Sequence, residues 1–279
     1  MELPIVTTSW LQDNLQNQNL VLLDASMSKV IGKEPIIYDQ PVHIPGSRLI
    51  DLEDEFCDLD SSQIHAFPTV DQFTQAARKL GISADSLVVI YDNQGVYSSP
   101  RAWWIFRTMG LKNVYVLDGG LPQWLAEGRA VVSEPVSISA HVSILEGAYQ
   151  PAQVCNAEYL AARLESDSLT ILDARSKERF MGLAPEPRPG VRSGHIPHSL
   201  NLPFAEVLDT HCYKSKEALK PLFSGLIGDA SEQRLVFSCG SGITACIILL
   251  AAEIAGYGEL TLYDGSWADW GSDTRLPIE

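Results

Sequence analysis

The sequence has few basic residues, no long apolar run and no regular cysteine pattern. Its 279 residues include 20 Lys and Arg against 35 Asp and Glu, a formal net charge of −15. Nucleic-acid backbones are bound by clustered Lys and Arg, so we expect no nucleic-acid partner. No window approaches the roughly 18 apolar residues of a membrane helix, and the start Met1-Glu2-Leu3-Pro4 has no basic region typical of a signal peptide. We therefore expect no membrane partner either.

The five cysteines, an odd number at scattered positions, do not form a disulfide framework. Their spacing is also unlike that of zinc ligands. Free thiols persist in a reducing compartment, so a cytoplasmic location is expected. We expect no metal and no other cofactor. The cysteines are Cys57, Cys155, Cys212, Cys239 and Cys246.

One stretch places a cysteine between a strand and a helix. Residues 235–238 form a short β-prone apolar run, and residues 245–252 form a long Ala- and Leu-rich run, which predicts a buried strand followed by a buried helix. Cys239 lies at the turn, where backbone N–H groups and the helix dipole favour a thiolate, the nucleophilic form. Gly240 and Gly242 allow the loop to bend around the sulfur. The hydroxyl groups in this loop belong to Ser241 and Thr244.

Such a turn has other uses, which are a buried structural cysteine, a phosphate cradle and a phosphatase loop. The spacing and the Lys of a nucleotide-binding P-loop are missing. A phosphatase loop needs an Arg near the helix start, where this chain has Ile243-Thr244-Ala245. Two glycines, two hydroxyl groups and a helix start at one point favour a nucleophilic Cys239 over a structural one.

The order of motifs in the first half of the chain recurs in the second half. The repeated elements lie about 150 residues apart, a period that indicates two copies of a domain. The matched pairs are Asp24 with Asp173, His43 with His195, Asp92 with Cys239, and Asp118 with Asp264.

Each copy alternates strands and helices, which predicts an α/β fold with a mainly parallel sheet flanked by helices on both faces. Residues 134–152 contain Pro and Gly without a helical period, so we predict a linker between domains 1–133 and 153–279. Sites in such sheets form at the carboxyl ends of strands, where Cys239 is placed. The first copy has Asp92 at this position, and because a carboxylate cannot carry sulfur, the first domain is predicted to be non-catalytic.

From about Thr8 to Trp270 the chain resembles the two-domain rhodanese family of sulfurtransferases. Its loop Cys239-Gly-Ser-Gly-Ile-Thr-Ala is similar to the active-site loop of 3-mercaptopyruvate sulfurtransferases, which usually have Val where this chain has Ile243. Thiosulfate sulfurtransferases usually have a basic pair after the cysteine, where this chain has Gly240-Ser241. The resemblance implies two tandem rhodanese-like domains and 3-mercaptopyruvate sulfurtransferase activity. The alternatives are a thiosulfate sulfurtransferase and a non-catalytic sulfur carrier.

The resemblance also implies a mechanism. Cys239 would take sulfur from 3-mercaptopyruvate, a small anionic donor, as a persulfide and release pyruvate, and a thiol, cyanide or thioredoxin would accept the sulfur. The loop N–H groups and the Ser241 hydroxyl would stabilise the leaving enolate. A monomer is expected, because both domain copies are in one chain. The other loop residues expected to contact the donor are Gly240, Gly242, Ile243 and Thr244.

An α-keto acid needs its carboxylate held, and bidentate arginine suits that task. The resemblance assigns the role to Arg179 and Arg188, nine positions apart on a Pro- and Gly-rich segment. Without the family match, the same pair is typical of solvated surface arginines. Arg175 and Arg192 are predicted to be structural.

In enzymes of this type, a His and an acid from the first domain are suggested to act with the loop serine in proton transfer. His65 matches this His, and the alternative is a non-catalytic histidine in a surface turn. Glu53 aligns with the acid, although the family more often has Asp there and the intervening stretch is one residue longer here. His43 and His195 recur in both copies and are predicted to be structural.

Overall fold

A computed structural model of the protein describes residues 3–136, 145–166, 169–228 and 233–279. Of the linker predicted over 134–152, residues 137–144 therefore lie outside the described residues. None of the helices in the described ranges combines the length and the apolar character needed to span a membrane. The same ranges contain no group of three or more His, Cys, Asp and Glu side chains that could hold a metal ion.

The chain divides into two compact units. The first contains the chain up to Leu59, Phe67–Gln150 and the short segment Thr210–Tyr213. The second contains Asp60–Ala66, Pro151–Asp209 and Lys214–Glu279. The segment that carries His65 is thus grouped with the second unit, although it lies within the sequence of the first.

The helices and strands follow the alternation predicted from the sequence. Those before residue 137 are β1 Ile5–Val6, α1 Thr8–Asn14, β2 Leu20–Asp24, β3 Arg48–Leu49, α2 Val70–Lys79, β4 Leu87–Tyr91, α3 Ser99–Thr108, β5 Val114–Leu117 and α4 Gly120–Ala126.

Among the described residues, the second half repeats this order with one additional helix and two additional short strands. The elements after residue 144 are β6 Val154–Cys155, α5 Ala157–Ala161, β7 Leu169–Asp173, α6 Lys177–Phe180, β8 Leu200–Asn201, β9 Leu208–Asp209, β10 Cys212–Tyr213, α7 Lys216–Ile227, β11 Arg234–Ser238, α8 Ala245–Ala255, β12 Leu260–Tyr263 and α9 Ser266–Trp270. Two short 3-10 helices cover Pro151–Gln153 and Phe204–Val207.

Each unit is built on a parallel sheet. Among the described residues, the first sheet has the strand order β1-β5-β4-β2-β3, and the second has the order β6-β12-β11-β7-β8. All neighbouring strands in both sheets run parallel. The two orders match strand for strand, which confirms the predicted α/β fold of two similar domains. In both sheets, the central strand is followed by the loop that aligns Asp92 with Cys239.

The apolar runs explain why these strands are central. Residues 88–91 of β4 and 235–238 of β11 are all buried, as expected for parallel strands covered on both faces. Helix α8 is rich in Ala, Leu and Ile, and ten of its eleven residues are buried. Burying each large apolar side chain contributes roughly 1.5–3 kcal/mol, which fixes α8 against its sheet. The helix ends at Gly256, whose φ of +100° is readily adopted by glycine.

Candidate active site

Cys239 is the first residue after β11 and lies at the carboxyl edge of the second sheet. It is 1% exposed. Its backbone N–H donates a hydrogen bond of 3.1 Å to Ser266 Oγ, and its Sγ lies 4.0 Å from the same oxygen. The carbonyl groups of Cys239 and Gly240 accept hydrogen bonds from Trp267 and Ala268, at the start of α9. The loop after the central strand is therefore fixed against the residues that follow β12.

The loops that follow β4 and β11 both turn at a glycine. Gly95 and Gly242 occupy the same place in the two loops, with φ of +99° and +80°. Both values lie in the region that glycine adopts without a steric cost. In each unit the loop then leads into a helix with Pro or apolar residues in its first turn, α3 or α8. The first unit therefore shows where such a loop directs its backbone N–H groups.

Asp92 occupies the position of Cys239 in the first unit and is fully buried. Its Oδ1 accepts a hydrogen bond from the N–H of Gln94 at 2.9 Å. Its Oδ2 accepts from the N–H groups of Tyr97 at 2.8 Å, Ser98 at 3.0 Å and Ser99 at 2.9 Å. The Ser99 hydroxyl adds a fifth bond of 2.7 Å. This loop is an anion cradle, because four backbone N–H groups converge on one negative charge.

Ser241 connects two of the predicted site residues. Its Oγ lies 3.1 Å from His65 Nδ1 and accepts a hydrogen bond of 3.2 Å from Arg188 Nη2. Ser241 is 7% exposed. His65 has a φ of +56°, which is uncommon for a residue with a side chain. The structure thus brings His65, Arg188 and Ser241 together in the second unit.

Gly240 is covered by the two predicted substrate-binding arginines. A Cβ atom built on Gly240 would lie 3.2 Å from Arg179 Nη2 and 3.9 Å from Arg188 Nη1. A side chain here would be tight against Arg179 and in ordinary contact with Arg188, so glycine leaves room for the Arg179 guanidinium over the loop. Arg179 is held in α6, where the Ser176 hydroxyl caps the helix by accepting a hydrogen bond from the Arg179 N–H.

Glu186 is a site residue that the sequence analysis missed. It is nearly buried and bonds Arg179 with both carboxylate oxygens, at 3.2 Å to Nε and 2.5 Å to Nη2. It also accepts a bond of 2.9 Å from Arg175, which pairs with Asp173 as well. Within the described part of the chain Arg188 has no carboxylate partner, so its positive charge is the less compensated of the two at the loop.

Arg188 also lines a cavity of about 360 Å³. The cavity wall includes Gln63, Ile64, Ala268 and Asp269. Asp269 Oδ2 accepts a bond of 2.8 Å from the Tyr263 hydroxyl. Burial, together with the charge of Asp269, raises the pKa of Tyr263, so this hydroxyl stays protonated and donates. A small anionic ligand in the cavity would meet the same arginine that bonds Ser241.

The remaining predicted residues serve different parts of the structure. Ile243 is buried and Thr244 half-buried, and their carbonyl groups accept the first hydrogen bonds of α8. Arg192 donates to the carbonyl groups of four residues between 270 and 276, which is a structural use. Glu53 is exposed in a turn of the first unit, where its N–H bonds Asp51 Oδ1 at 2.8 Å. Its part in catalysis stays a prediction.

Cys155 has a thiol that is unsuited to nucleophilic attack. Burial, with a smaller contribution from the charge of Asp264, raises the pKa of the Cys155 thiol to about 12. A thiol with this pKa is almost entirely protonated near neutral pH and is a poor nucleophile. Cys246 Sγ lies 3.4 Å from the carbonyl oxygen of Gly242 inside the buried first turn of α8.

Each unit is an α/β domain with a parallel sheet, and the second unit has a cysteine directly after its central strand. The family model of the rhodanese-like domain matches residues 7–127 and 156–273. The chain therefore belongs to the rhodanese family, as a member with two domains.

Similar proteins narrow the activity to sulfur transfer. The chain is 38% identical to the 3-mercaptopyruvate sulfurtransferase of Mus musculus, over 95% of this chain and 91% of that protein. It is 37% identical to the mitochondrial thiosulfate/3-mercaptopyruvate sulfurtransferase 1 of Arabidopsis thaliana, over 99% of this chain and 78% of that protein. The crystal structure of SseA, a 3-mercaptopyruvate sulfotransferase from Escherichia coli, superposes with a TM-score of 0.82 at 30% identity, covering 95% of this chain and 99% of that one. The protein is a sulfur-transferring enzyme close to the 3-mercaptopyruvate sulfurtransferases, which confirms the predicted class.

Proposed function

We propose that the protein is a 3-mercaptopyruvate sulfurtransferase in which Cys239 carries the transferred sulfur. The anion cradle of the first unit supports this proposal, because the Cys239 loop follows the matching central strand and turns at the matching glycine, Gly242. Matching Asp92 with Cys239 makes Ser241, Thr244 and Ala245 the counterparts of Gln94, Tyr97 and Ser98. We infer that their N–H groups face the sulfur and stabilise it as a thiolate or a persulfide anion.

In the first half-reaction, the Cys239 thiolate attacks the sulfur atom of 3-mercaptopyruvate. A sulfur–sulfur bond forms, the carbon–sulfur bond breaks, and its electron pair moves onto the pyruvate enolate. The proton of the donor thiol ends on the methyl carbon of pyruvate, so Cys239 retains an anionic persulfide. The cradle N–H groups that stabilise the thiolate also suit this product, because each state carries one negative charge at the loop.

Arg188 is proposed to bind the donor carboxylate. It reaches the Ser241 hydroxyl, lines the cavity and has no carboxylate partner among the described residues. Arg179 lies over Gly240 and is oriented by Glu186, so we assign it a second, weaker contact with the donor. An arginine contact with a carboxylate can be bidentate, which would fix the direction of the carbon–sulfur bond as well as the charge.

The Ser241 hydroxyl and His65 are proposed to move the proton. Because Arg188 donates to Ser241 Oγ, the hydroxyl proton of Ser241 is left to point at His65 Nδ1, 3.1 Å away. Ser241 can then pass its hydroxyl proton to His65 Nδ1 while it takes the donor's thiol proton. The reverse transfer delivers one proton to the methyl carbon of the enolate and completes its conversion to pyruvate. We propose Glu53 as the acid of the proton transfer, and a lower kcat in Glu53→Gln with an unchanged donor KM would support that role.

In the second half-reaction, an acceptor thiolate attacks the outer sulfur of the persulfide. The sulfur–sulfur bond breaks, its electron pair returns to Cys239, and the acceptor leaves as a persulfide, or as thiocyanate when cyanide is the acceptor. A dithiol such as thioredoxin would then form its own disulfide and release sulfide.

Thiosulfate is the second candidate donor, because the similar Arabidopsis thaliana protein carries both donors in its name. The dianion should be the weaker donor here, because Gly240-Ser241 follow the cysteine and Arg179 is neutralised by Glu186. Opposite charges within about 4–6 Å are needed to favour a second negative charge.

Donor competition tests the proposal. The purified protein is given cyanide with each donor, and thiocyanate and pyruvate are measured. We expect a higher kcat/KM with 3-mercaptopyruvate than with thiosulfate, no turnover in Cys239→Ser, and near-normal turnover in the matched control Cys155→Ser. Faster thiocyanate formation from thiosulfate would reverse the assignment of the donor.

A further inference from the structure

Ser266 has a backbone conformation that favours glycine. It begins α9 with a φ of +51° and is fully buried. Residues with a side chain rarely adopt this region, and when they do the strain often coincides with a functional site. Five non-glycine residues in the described ranges have a positive φ, and two of them, His65 and Ser266, contact the Cys239 loop.

The first unit shows glycine in the same place. Gly120 begins α4 with a φ of +52°, and it aligns with Ser266 because Asp118 aligns with Asp264. A Cβ atom on Gly120 would collide with the carbonyl oxygens of Gly95 and Asp92. The first unit therefore excludes a side chain here, whereas the second unit accommodates one in spite of its backbone strain.

The Ser266 side chain is directed at Cys239. Its Oγ accepts the hydrogen bond from the Cys239 N–H at 3.1 Å and donates one to the carbonyl oxygen of Tyr263 at 3.0 Å. Cys239 Sγ lies 4.0 Å away. A hydroxyl group has one proton, so a turn about its C–O bond would move that proton from the Tyr263 carbonyl towards the sulfur.

We propose that Ser266 is a positioning residue for Cys239. Its oxygen fixes the backbone of the cysteine, and its proton turns towards the sulfur when the sulfur is anionic, as thiolate or as persulfide. This inference extends the proposed function and rests on Cys239 as the sulfur carrier. It accounts for a strained serine where the non-catalytic copy has an unstrained glycine.

Two substitutions separate this role from a merely structural one. Ser266→Ala and Ser266→Gly both remove the hydroxyl, but only glycine relieves the backbone strain. We expect the melting temperature of the Gly variant to exceed that of the Ala variant by about 2–4 °C. This is the shift expected in a chain of this size when one residue is relieved of left-handed backbone strain. The Gly variant is expected to fold, because Gly120 already forms the same turn.

Both variants should lose kcat for pyruvate release by about tenfold, the loss typical of one hydrogen bond to a charged group. The KM for 3-mercaptopyruvate should change by less than about twofold, because Ser266 is not expected to contact the donor. A Gly variant with wild-type kcat, or kcat values that follow the order of melting temperatures, would overturn the proposal.

The rate at which iodoacetamide alkylates Cys239 can be measured without any sulfur donor, by peptide mass spectrometry at one fixed pH. Both variants should be alkylated about tenfold more slowly than the wild type if the Ser266 proton stabilises the thiolate. Equal alkylation rates in all three proteins would refute the role of Ser266. The alkylation rates test the role of Ser266 even if the wild type releases no pyruvate. A wild type without pyruvate release would contradict only the proposed function.

Discussion

Replacing Asp92 with Asn tests whether the loop after the central strand is built to hold an anion. The Asp92 carboxylate accepts five hydrogen bonds and is fully buried. Asn has nearly the same shape, but it is neutral and presents an NH₂ group to at least one of the N–H donors. The substitution therefore changes the charge in the cradle with little change in packing.

The size of the effect follows from these bonds. Hydrogen bonds to charged groups contribute about 1.5–3 kcal/mol each, and neutral ones about 0.5–1.5 kcal/mol. Four of the bonds could survive at the weaker strength, and the fifth would become a contact between two donors. A neutral amide costs less to bury, which offsets part of this loss. We expect a net destabilisation of about 3–5 kcal/mol, the range for removing one partner of a buried charged network.

Urea unfolding followed by tryptophan fluorescence measures this loss, and hydrogen exchange of the amides at 94–99 locates it. The matched control is Asp85→Asn, at an exposed carboxylate, which should stay within about 0.5 kcal/mol of the wild type. A loss below about 1 kcal/mol in Asp92→Asn, with unchanged amide exchange, would show that this turn is not an anion cradle.

Three further predictions follow from the contacts. Arg188→Ala should raise the donor KM by about 10- to 100-fold with a smaller change in kcat, whereas the exposed control Arg163→Ala should change neither. Glu186→Gln removes the carboxylate shared by two arginines, so the free energy of unfolding should fall by about 3 kcal/mol. A decrease below about 1 kcal/mol would contradict the pairing. Hydrogen bonds led by that from the Thr8 hydroxyl lower the pKa of Glu127 from 4.5 to about 2. Its contribution is therefore present above pH 4.5 and lost as the pH falls towards 2. Glu127→Gln should remove at most about 1 kcal/mol of this acid-dependent stability, since the Glu127 side chain is 30% exposed. An acid-unfolding curve unchanged by the substitution would count against this contribution of Glu127.

The fold could be predicted because its signals are short stretches of sequence and the order in which they follow one another. The continuous apolar runs of β4 and β11 identify the buried parallel strands, and the repeated order of motifs identifies two copies. The turn that holds Cys239 is also local, since it needs only a strand, glycines and a helix start in succession.

The rest of the site depends on contacts distant in sequence or on backbone angles. Glu186 looks like any loop carboxylate until the structure places it between Arg175 and Arg179. The grouping of residues 60–66 with the second unit carries no signal in composition or periodicity. A signal for Ser266 did exist, because the aligned sequences Asp-Gly-Gly and Asp-Gly-Ser differ at this one position, but its meaning required the shared positive φ.

The most direct test of a sulfur-carrying Cys239 is the mass of the peptide that contains it after 3-mercaptopyruvate is added without an acceptor. We expect one additional sulfur atom on that peptide, its removal by cyanide, and its absence in folded Cys239→Ser. Additional sulfur on a peptide holding another cysteine, or none on a folded wild-type protein, would show that Cys239 is not the sulfur carrier.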